Sequence, residues 1–300
     1  MIASRQPYDL VIYHGSCFDG FTAAWLYDRW CGRFGSPATT YHAARYGELA
    51  PDVFGRRVLI VDFSYPRAEL EVLAGKAAEL RLLDHHITAQ DQLLGLPWAT
   101  FDQNRSGCGL LWDELLAPMS GPERPWLADY VEDRDLWRWQ LPGSRATNAW
   151  ISSHPFTFEA WDEVSKAGQP RAELLGGAVL QYIAEYGEHA IRHARDEFVG
   201  GFVVPVVNLS YQNSSEHLER LLRARPEAPF VASFFRRFDR MWQFSLRSRA
   251  PADTRGESST VDVSKVAKLW GGGGHVNAAG FESSVLPWLE RPARWIGDAR

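Results

Sequence analysis

For its first 115 or so residues the chain alternates short apolar runs with amphipathic stretches. Asp9-Leu10-Val11-Ile12-Tyr13, Arg57-Val58-Leu59-Ile60-Val61 and Leu80-Arg81-Leu82-Leu83 are each too short for a buried helix. Their near-continuous apolar character fits strands covered on both faces of a parallel sheet. Between the second and third, Leu70, Leu73, Ala77 and Leu80 recur at helical spacing from Pro66 onward. A helix crossing between two strands requires those strands to be parallel. Phe21 to Leu26 reads as the opening of a helix, and Gly107 to Leu116 and Trp126 to Val131 as two more. Residues 172–198 carry a long helical pattern without proline. Beyond Gly200 the period changes. Phe202 to Val207, Pro229 to Phe235 and Met241 to Arg247 read as strands, the last two joined by a polar turn, and Ser215 to Ala224 as a short helix. Ser248 to Ser259 is polar and reads as a mobile loop. The expected organisation is an α/β chain. Residues 1–170 form a parallel-sheet domain, 171–199 a helical connector, and 200–300 a smaller α/β domain, with the active site in the cleft between the two domains.

Three of the runs end in a metal-type donor. The first ends in His14, followed by Asp19; the second ends in Asp62; the third ends in Asp84-His85-His86. Ligands of open α/β sheets collect outside the carboxyl ends of the strands. One aspartate at a strand end is ordinarily a turn former or helix cap. Three successive strands delivering donors to the same end point instead to a divalent cation site built from imidazole and carboxylate. Asp133 is a fourth acidic candidate.

Charge and cysteine content narrow the classes. Residues 1–199 hold 18 Lys and Arg against 27 Asp and Glu, whereas residues 200–300 hold 14 against 10. An acidic half suits cations and a basic half suits phosphate. The net charge of −5 argues against a broad basic grip on long duplex DNA. Three cysteines, Cys17, Cys31 and Cys108, without CxxC pairing, argue for a reducing compartment. With no membrane-length apolar run and no signal-peptide profile, the expected location is the cytoplasm. In the basic half, Gly271-Gly272-Gly273-Gly274-His275 offers a backbone that can approach a bound group closely and form an anion nest, with Asn277-Ala278-Ala279 opening a helix. Arg247, at a strand end, is either a phosphate-binding partner or a surface arginine. Arg105, Ser106 and Asn148 either line the cleft or cap local structure.

His14…Asp19, Asp62, Asp84-His85-His86 and Asp133 resemble the successive metal motifs of the DHH phosphoesterases. Gly271 to Phe281, with Val261 to Ala267 before it, resembles the glycine-rich signature of the accompanying DHHA1 domain. The resemblance runs from residue 9 to 281. It implies metal-dependent hydrolysis of phosphoesters, with manganese, as one or two ions. Asp62 would bridge two ions, His14 and Asp19 would complete one site, and His85 and Asp133 the other. Asp84 would orient a histidine, His86 would contact the phosphate or leaving oxygen, and Gly272, Gly273, Gly274, His275 and Arg247 would hold the nucleotide. Expected substrates are di- to pentanucleotides, 3′-phosphoadenosine-5′-phosphate or dinucleotides. The alternatives are an inorganic pyro- or polyphosphate hydrolase and a non-catalytic nucleotide sensor. A small nucleotide or short oligonucleotide is thus the expected partner, with no membrane and no long duplex DNA; a homodimer is compatible with the pattern. One departure stands out: Phe21 occupies the place where many relatives carry a second aspartate, and the His-to-Asp spacing is one residue longer than the common form.

Overall fold

A computed structural model describes residues 7–33, 39–120, 123–210, 212–249 and 261–289. The chain divides into two compact units, Met1–Leu180 and Gln181–Arg300.

The first unit is built on a five-stranded sheet in the order β2-β1-β3-β4-β5, with β1 Leu10–His14, β2 Thr40–Ala44, β3 Arg57–Val61, β4 Glu79–Asp84 and β5 Ala99–Phe101. Every pairing is parallel. Helices α1 Phe18–Arg33, α2 Arg67–Lys76 and α3 Ile87–Leu93 fall between the strands. The predicted crossover is α2; it stops at Lys76, and Leu80 belongs to β4 rather than to the helix face. After β5 come α4 Gly107–Leu111, a π-helical turn Trp112–Leu116, α5 Ala117–Ser120, α6 Trp126–Asp135, α7 Ser144–Ile151 and α8 Phe158–Ala167.

Strand residues alternate between two cores. Val11, Leu59, Val61 and Leu83 pack with residues of α1, α4, α6 and α8. Leu10, Ile12, Val58, Ile60, Leu80 and Leu82 pack on the other face, with Leu70 and Leu73 of α2. Burial on both faces explains why β1, β3 and β4 carry few polar residues between their ends. The strand order reverses direction between β1 and β3, the place where sheets of this order open a crevice at their carboxyl ends.

A long helix, α9, spans Gln169–Ile191. Residues 195–199, expected as its end, instead form strand β6 Arg195–Val199, paired antiparallel with β7 Phe202–Asn208. The glycine pair Gly200 and Gly201, both at positive φ, makes the turn between them.

The second unit is a six-stranded sheet in the order β10-β11-β9-β8-β7-β6, with β8 Val231–Arg236, β9 Trp242–Arg247, β10 Gly273–His275 and β11 Ala278–Ser283. Helices α10 Ser214–Ala224 and α11 Val263–Lys268 complete it. Residues 277–279 do not open a helix. They lead into β11, which pairs with β9 on one side and β10 on the other. Of the expected loop at 248–259, residues 250–259 lie outside the described residues. Among the described residues no helix is long and apolar enough to cross a membrane.

Candidate metal centre

The donors gather where β1 and β3 diverge. His14 ends β1, and Gly15 is tied back by its N–H to Ala44 O at 2.8 Å. Ser16, at φ +61°, reverses the chain and delivers Cys17 to the start of α1. Gly20 lets that helix sit on the strand end, since a Cβ there would lie 2.7 Å from His14 O. Asp19, in the first turn of α1, is fully buried. Its Oδ1 accepts from Cys108 N at 3.0 Å and its Oδ2 from Gly107 N at 2.5 Å, so the carboxylate is fixed against the first turn of α4. Gly107 is required there, because a Cβ would come 2.5 Å from Asp62 Cβ.

Asp62 follows β3 at φ +56°, a left-handed conformation that costs an L-residue energy but that aspartate and asparagine tolerate best. Its N–H donates to Leu83 O at 2.9 Å, and its side chain turns into the centre, 1% exposed. The two carboxylate oxygens face different imidazoles. Oδ1 lies 3.1 Å from His85 Nε2, and Oδ2 lies 3.6 Å from His14 Nδ1. His85 Nε2 also lies 3.4 Å from Asp135 Oδ2 and 3.9 Å from Asp19 Oδ2. Two groups of donors therefore meet at Asp62, which belongs to the second and reaches the first through His85. One is Asp19, His85 and Asp135; the other is His14, Cys17 and Asp62; within each, the donor atoms all lie within 4.8 Å of one another.

Three expectations change. Asp133 is not in the cluster. Its Oδ1 accepts from Gln140 N at 2.9 Å and its Oδ2 from Leu141 N at 3.3 Å, closing the chain after α6. Asp135, two residues on and about 200° around the helix, faces His85 instead. Asp19 keeps company with His85 rather than with His14. Phe21 is likewise about 200° from Asp19 on α1, and it packs among Tyr13, Phe156, Phe158 and Trp161 in the core. That position belongs to the core, and Cys17 stands beside His14 and Asp62.

Asp84 does not face the cluster with both oxygens. Oδ2 accepts from Ser64 Oγ at 2.6 Å, while Oδ1 accepts from His85 N at 2.7 Å and pairs with His86 Nδ1 at 2.7 Å. Its partner among the histidines is thus the His86 ring. Burial disfavours charge on His86, but Asp84 raises its pKa overall; burial likewise acts against Asp84, but His86 lowers its pKa overall. Of the three residues with open alternatives, Ser106 caps α4 by accepting from Gly109 N at 3.3 Å, and Arg105 pairs with Glu132 at 2.7 Å. Asn148 donates to Tyr130 O at 2.9 Å. All three are engaged in local structure, and Glu132, also bound by Arg124, ties α4 to the helix that carries Asp135.

The donor set fits divalent cations. Asp62 Oδ2, Asp135 Oδ2 and His14 Nδ1 are buried without a hydrogen bond. Burial, then the Asp62 and Asp135 carboxylates, push Asp19 from its ordinary value near 3.8 to about 8. Burial also raises Asp135. Burial opposes charge on His85, yet Asp62, Asp135 and Asp19 hold its pKa well above the usual histidine range. A carboxyl raised in the fold favours the metal-free protein at low pH, and that contribution is lost as pH rises through its folded value. A cation needs Asp19 and Asp135 ionised and His85 neutral, so its binding releases protons. The rise in Tm on adding Mn2+ should therefore grow with pH up to about 8. Melting curves with and without cation at several pH values check this; a pH-independent difference contradicts it.

In the second unit the glycine run is part of a hairpin, not a nest. Gly271 N and Gly272 N are used to close α11, donating to Lys268 O at 3.1 Å and Ala267 O at 3.0 Å. Gly273, Gly274 and His275 pair with Gly280, Ala279 and Ala278. Gly274 has φ +138°, and a Cβ there would meet Ala278 O at 2.5 Å; at Gly272 one would overlap Gly280 O. Arg247 is opposite Ala278 on β9, and His275 is opposite the same residue on β10. Both side chains therefore leave one face of the sheet, with backbones about 10 Å apart. Arg247 donates to Ser215 Oγ in the first turn of α10.

Comparison with known proteins agrees with this architecture. No family model matches the chain. It is 27% identical to an uncharacterised protein of Acanthamoeba polyphaga mimivirus, over 95% of this chain and 70% of the viral one. Among solved structures, the DHH domain of a protein from a ribosomal-protein family superposes with a TM-score of 0.56 at 12% identity, covering 91% of this chain and 82% of that one. RecJ from Thermus thermophilus, in complex with Mn2+, superposes with a TM-score of 0.50 at 18% identity. That match covers 92% of this chain and 50% of RecJ, so the chain spans about half of RecJ's length. The chain therefore shares the fold of these DHH-domain and RecJ structures.

Proposed function

We propose that the protein is a divalent-metal-dependent phosphoesterase acting on short, phosphate-rich nucleotides. The observation that carries this reading is the two donor groups that meet at Asp62, one through His14 and the other through His85, at the strand-order reversal. His14 and Asp62 would hold one ion; Asp19, Asp62, His85 and Asp135 would hold the other. When bound, such ions polarise a phosphoryl oxygen and make water acidic enough to serve as a nucleophile near neutral pH. Manganese is the proposed metal, in keeping with the oxygen-rich corner and with the Mn2+ in the RecJ structure.

The protein's own groups supply the rest. Asp84 holds His86 by Nδ1 and favours its charged form, so His86 would donate a proton to a phosphate oxygen or to the leaving group. Arg247 and His275, emerging on one face of one sheet, would bind phosphate or the nucleotide. The net charge of −5 favours a short substrate over long duplex DNA.

The test is a panel. Purified protein is incubated with Mn2+ and a short RNA, 3′-phosphoadenosine-5′-phosphate, a cyclic dinucleotide or pyrophosphate. The expected result is hydrolysis of at least one of the nucleotides, abolished by chelation and by His85→Ala. Hydrolysis of pyrophosphate alone, or nucleotide binding without turnover, overturns the reading in favour of an inorganic phosphohydrolase or a sensor.

A further inference from the structure

The chain has three cysteines, and two of them are held by local structure. Cys31 Sγ lies 3.9 Å from Thr39 Oγ1. Cys108 Sγ, on the helix that receives Asp19, contacts Ser106 Oγ at 3.3 Å and Ala128 O at 3.8 Å. Cys17 is different. The left-handed turn at Ser16 brings it beside His14 and Asp62, and its Sγ lies within 4.8 Å of a donor atom of each. The Asp62 side chain is 1% exposed, and its Oδ2, the oxygen on this side, accepts no hydrogen bond. His14 Nδ1, 3.6 Å from that oxygen, is also buried without a hydrogen bond. A buried carboxylate oxygen and a buried imidazole nitrogen left unpartnered around one point call for a cation between them.

We infer that Cys17 Sγ is the third protein donor to the cation at the His14–Asp62 corner, so that the centre has one sulfur-bearing position and one oxygen-rich position. This rests on the reading of that corner as a cation site. Without an ion, burial and then the Asp62, Asp135 and Asp19 carboxylates keep the thiol protonated. Cys17 would bind as the thiolate, its proton passing to solvent as the ion enters. One sulfur, one nitrogen and one oxygen form a set that borderline and soft ions such as Zn2+, Co2+ and Cd2+ take in preference to Mn2+ or Mg2+. The Asp19–His85–Asp135 corner, richer in oxygen, keeps the harder ions. The two positions are therefore chemically unlike, and a mixed-metal centre is the expected loaded state.

Titration of the full chain with Co2+ tests this. Bound cobalt should show a sulfur-to-cobalt charge-transfer absorption that persists in Cys31→Ser and Cys108→Ser and disappears in Cys17→Ser. Zn2+ affinity should fall by at least about tenfold in Cys17→Ser, no less than changes outside the ligand shell cause. Cys17→Asp should bind Mn2+ more tightly than the wild type. Iodoacetamide should modify Cys17 more slowly once Zn2+ is bound. Cobalt binding with no charge-transfer band in the wild type, or with the same band in Cys17→Ser, overturns the inference and leaves the corner as a cation site without sulfur. A wild type that binds no cobalt at all overturns both the inference and the cation reading beneath it.

Discussion

Replacing Asp62 by asparagine is expected to lower phosphoester hydrolysis by about a hundred- to a thousandfold and to abolish the rise in Tm that Mn2+ produces. Asparagine is the informative substitution because Asp62 sits at φ +56°, a conformation asparagine adopts readily and alanine does not. It keeps the shape that fits against Gly107 and removes only the charge that lies between His14 and His85. Burial disfavours that charge, but the His14 and His85 imidazoles hold the carboxyl well below its usual range, so the wild-type group is an anion at every working pH. In the variant His85 still faces Asp135 and Asp19, and the metal-free variant should melt within a few degrees of the metal-free wild type. Activity assays and melting curves with and without Mn2+ check the two effects together. A variant that retains activity within about threefold, small beside the loss expected for a shared charge, contradicts the bridging role.

Asp133 and Asp135 should separate just as sharply. Asp135→Asn removes a donor 3.4 Å from His85 and relieves the repulsion that helps to raise Asp19. Mn2+ affinity should fall by at least about tenfold, and activity with it, while the metal-free protein loses no stability. Asp133→Asn should do the reverse. Its carboxylate accepts from both Gln140 N and Leu141 N, and an amide can accept with only one atom while its NH2 opposes the other donor. A destabilisation of about 1–3 kcal/mol is expected, with Mn2+ affinity unchanged. Denaturant unfolding and Mn2+ calorimetry on the two variants measure both quantities. Loss of Mn2+ binding in Asp133→Asn alone would place the ligand where the sequence pattern put it.

That contrast shows what the sequence could reveal. His14, Asp62 and Asp84 were readable because each closes an apolar run buried on both faces, and a strand end is a position that hydrophobicity marks directly. Asp135 was not, because Asp133 and Asp135 both lie near the end of α6 and only the rotation of that helix against the sheet decides between them. Phe21, singled out because many relatives of the resembled family carry an aspartate there, is turned by α1 into an aromatic cluster, which the residue's place in the motif does not reveal. Cys17 needed the reversal at Ser16, which no periodicity announces. In the second unit, Gly272 and Gly274 read as a nest because glycine permits one. Their actual requirement is close approach to β11, a contact set by pairing partners and invisible in the run itself. The short strands β2 and β5 escaped notice because Thr40–Ala44 and Ala99–Phe101 carry too few apolar residues to stand out from their surroundings.

If the donors around Asp62 form the metal centre, a divalent cation binds among them. Anomalous diffraction from crystals of the full chain soaked in Mn2+ tests it most directly. A peak is expected within coordination distance of Asp62, His85 and Asp135, and a second beside His14 and Asp62 when the soak contains Zn2+. Well-ordered side chains with no anomalous signal near Asp62, or a signal at Asp133, would contradict it.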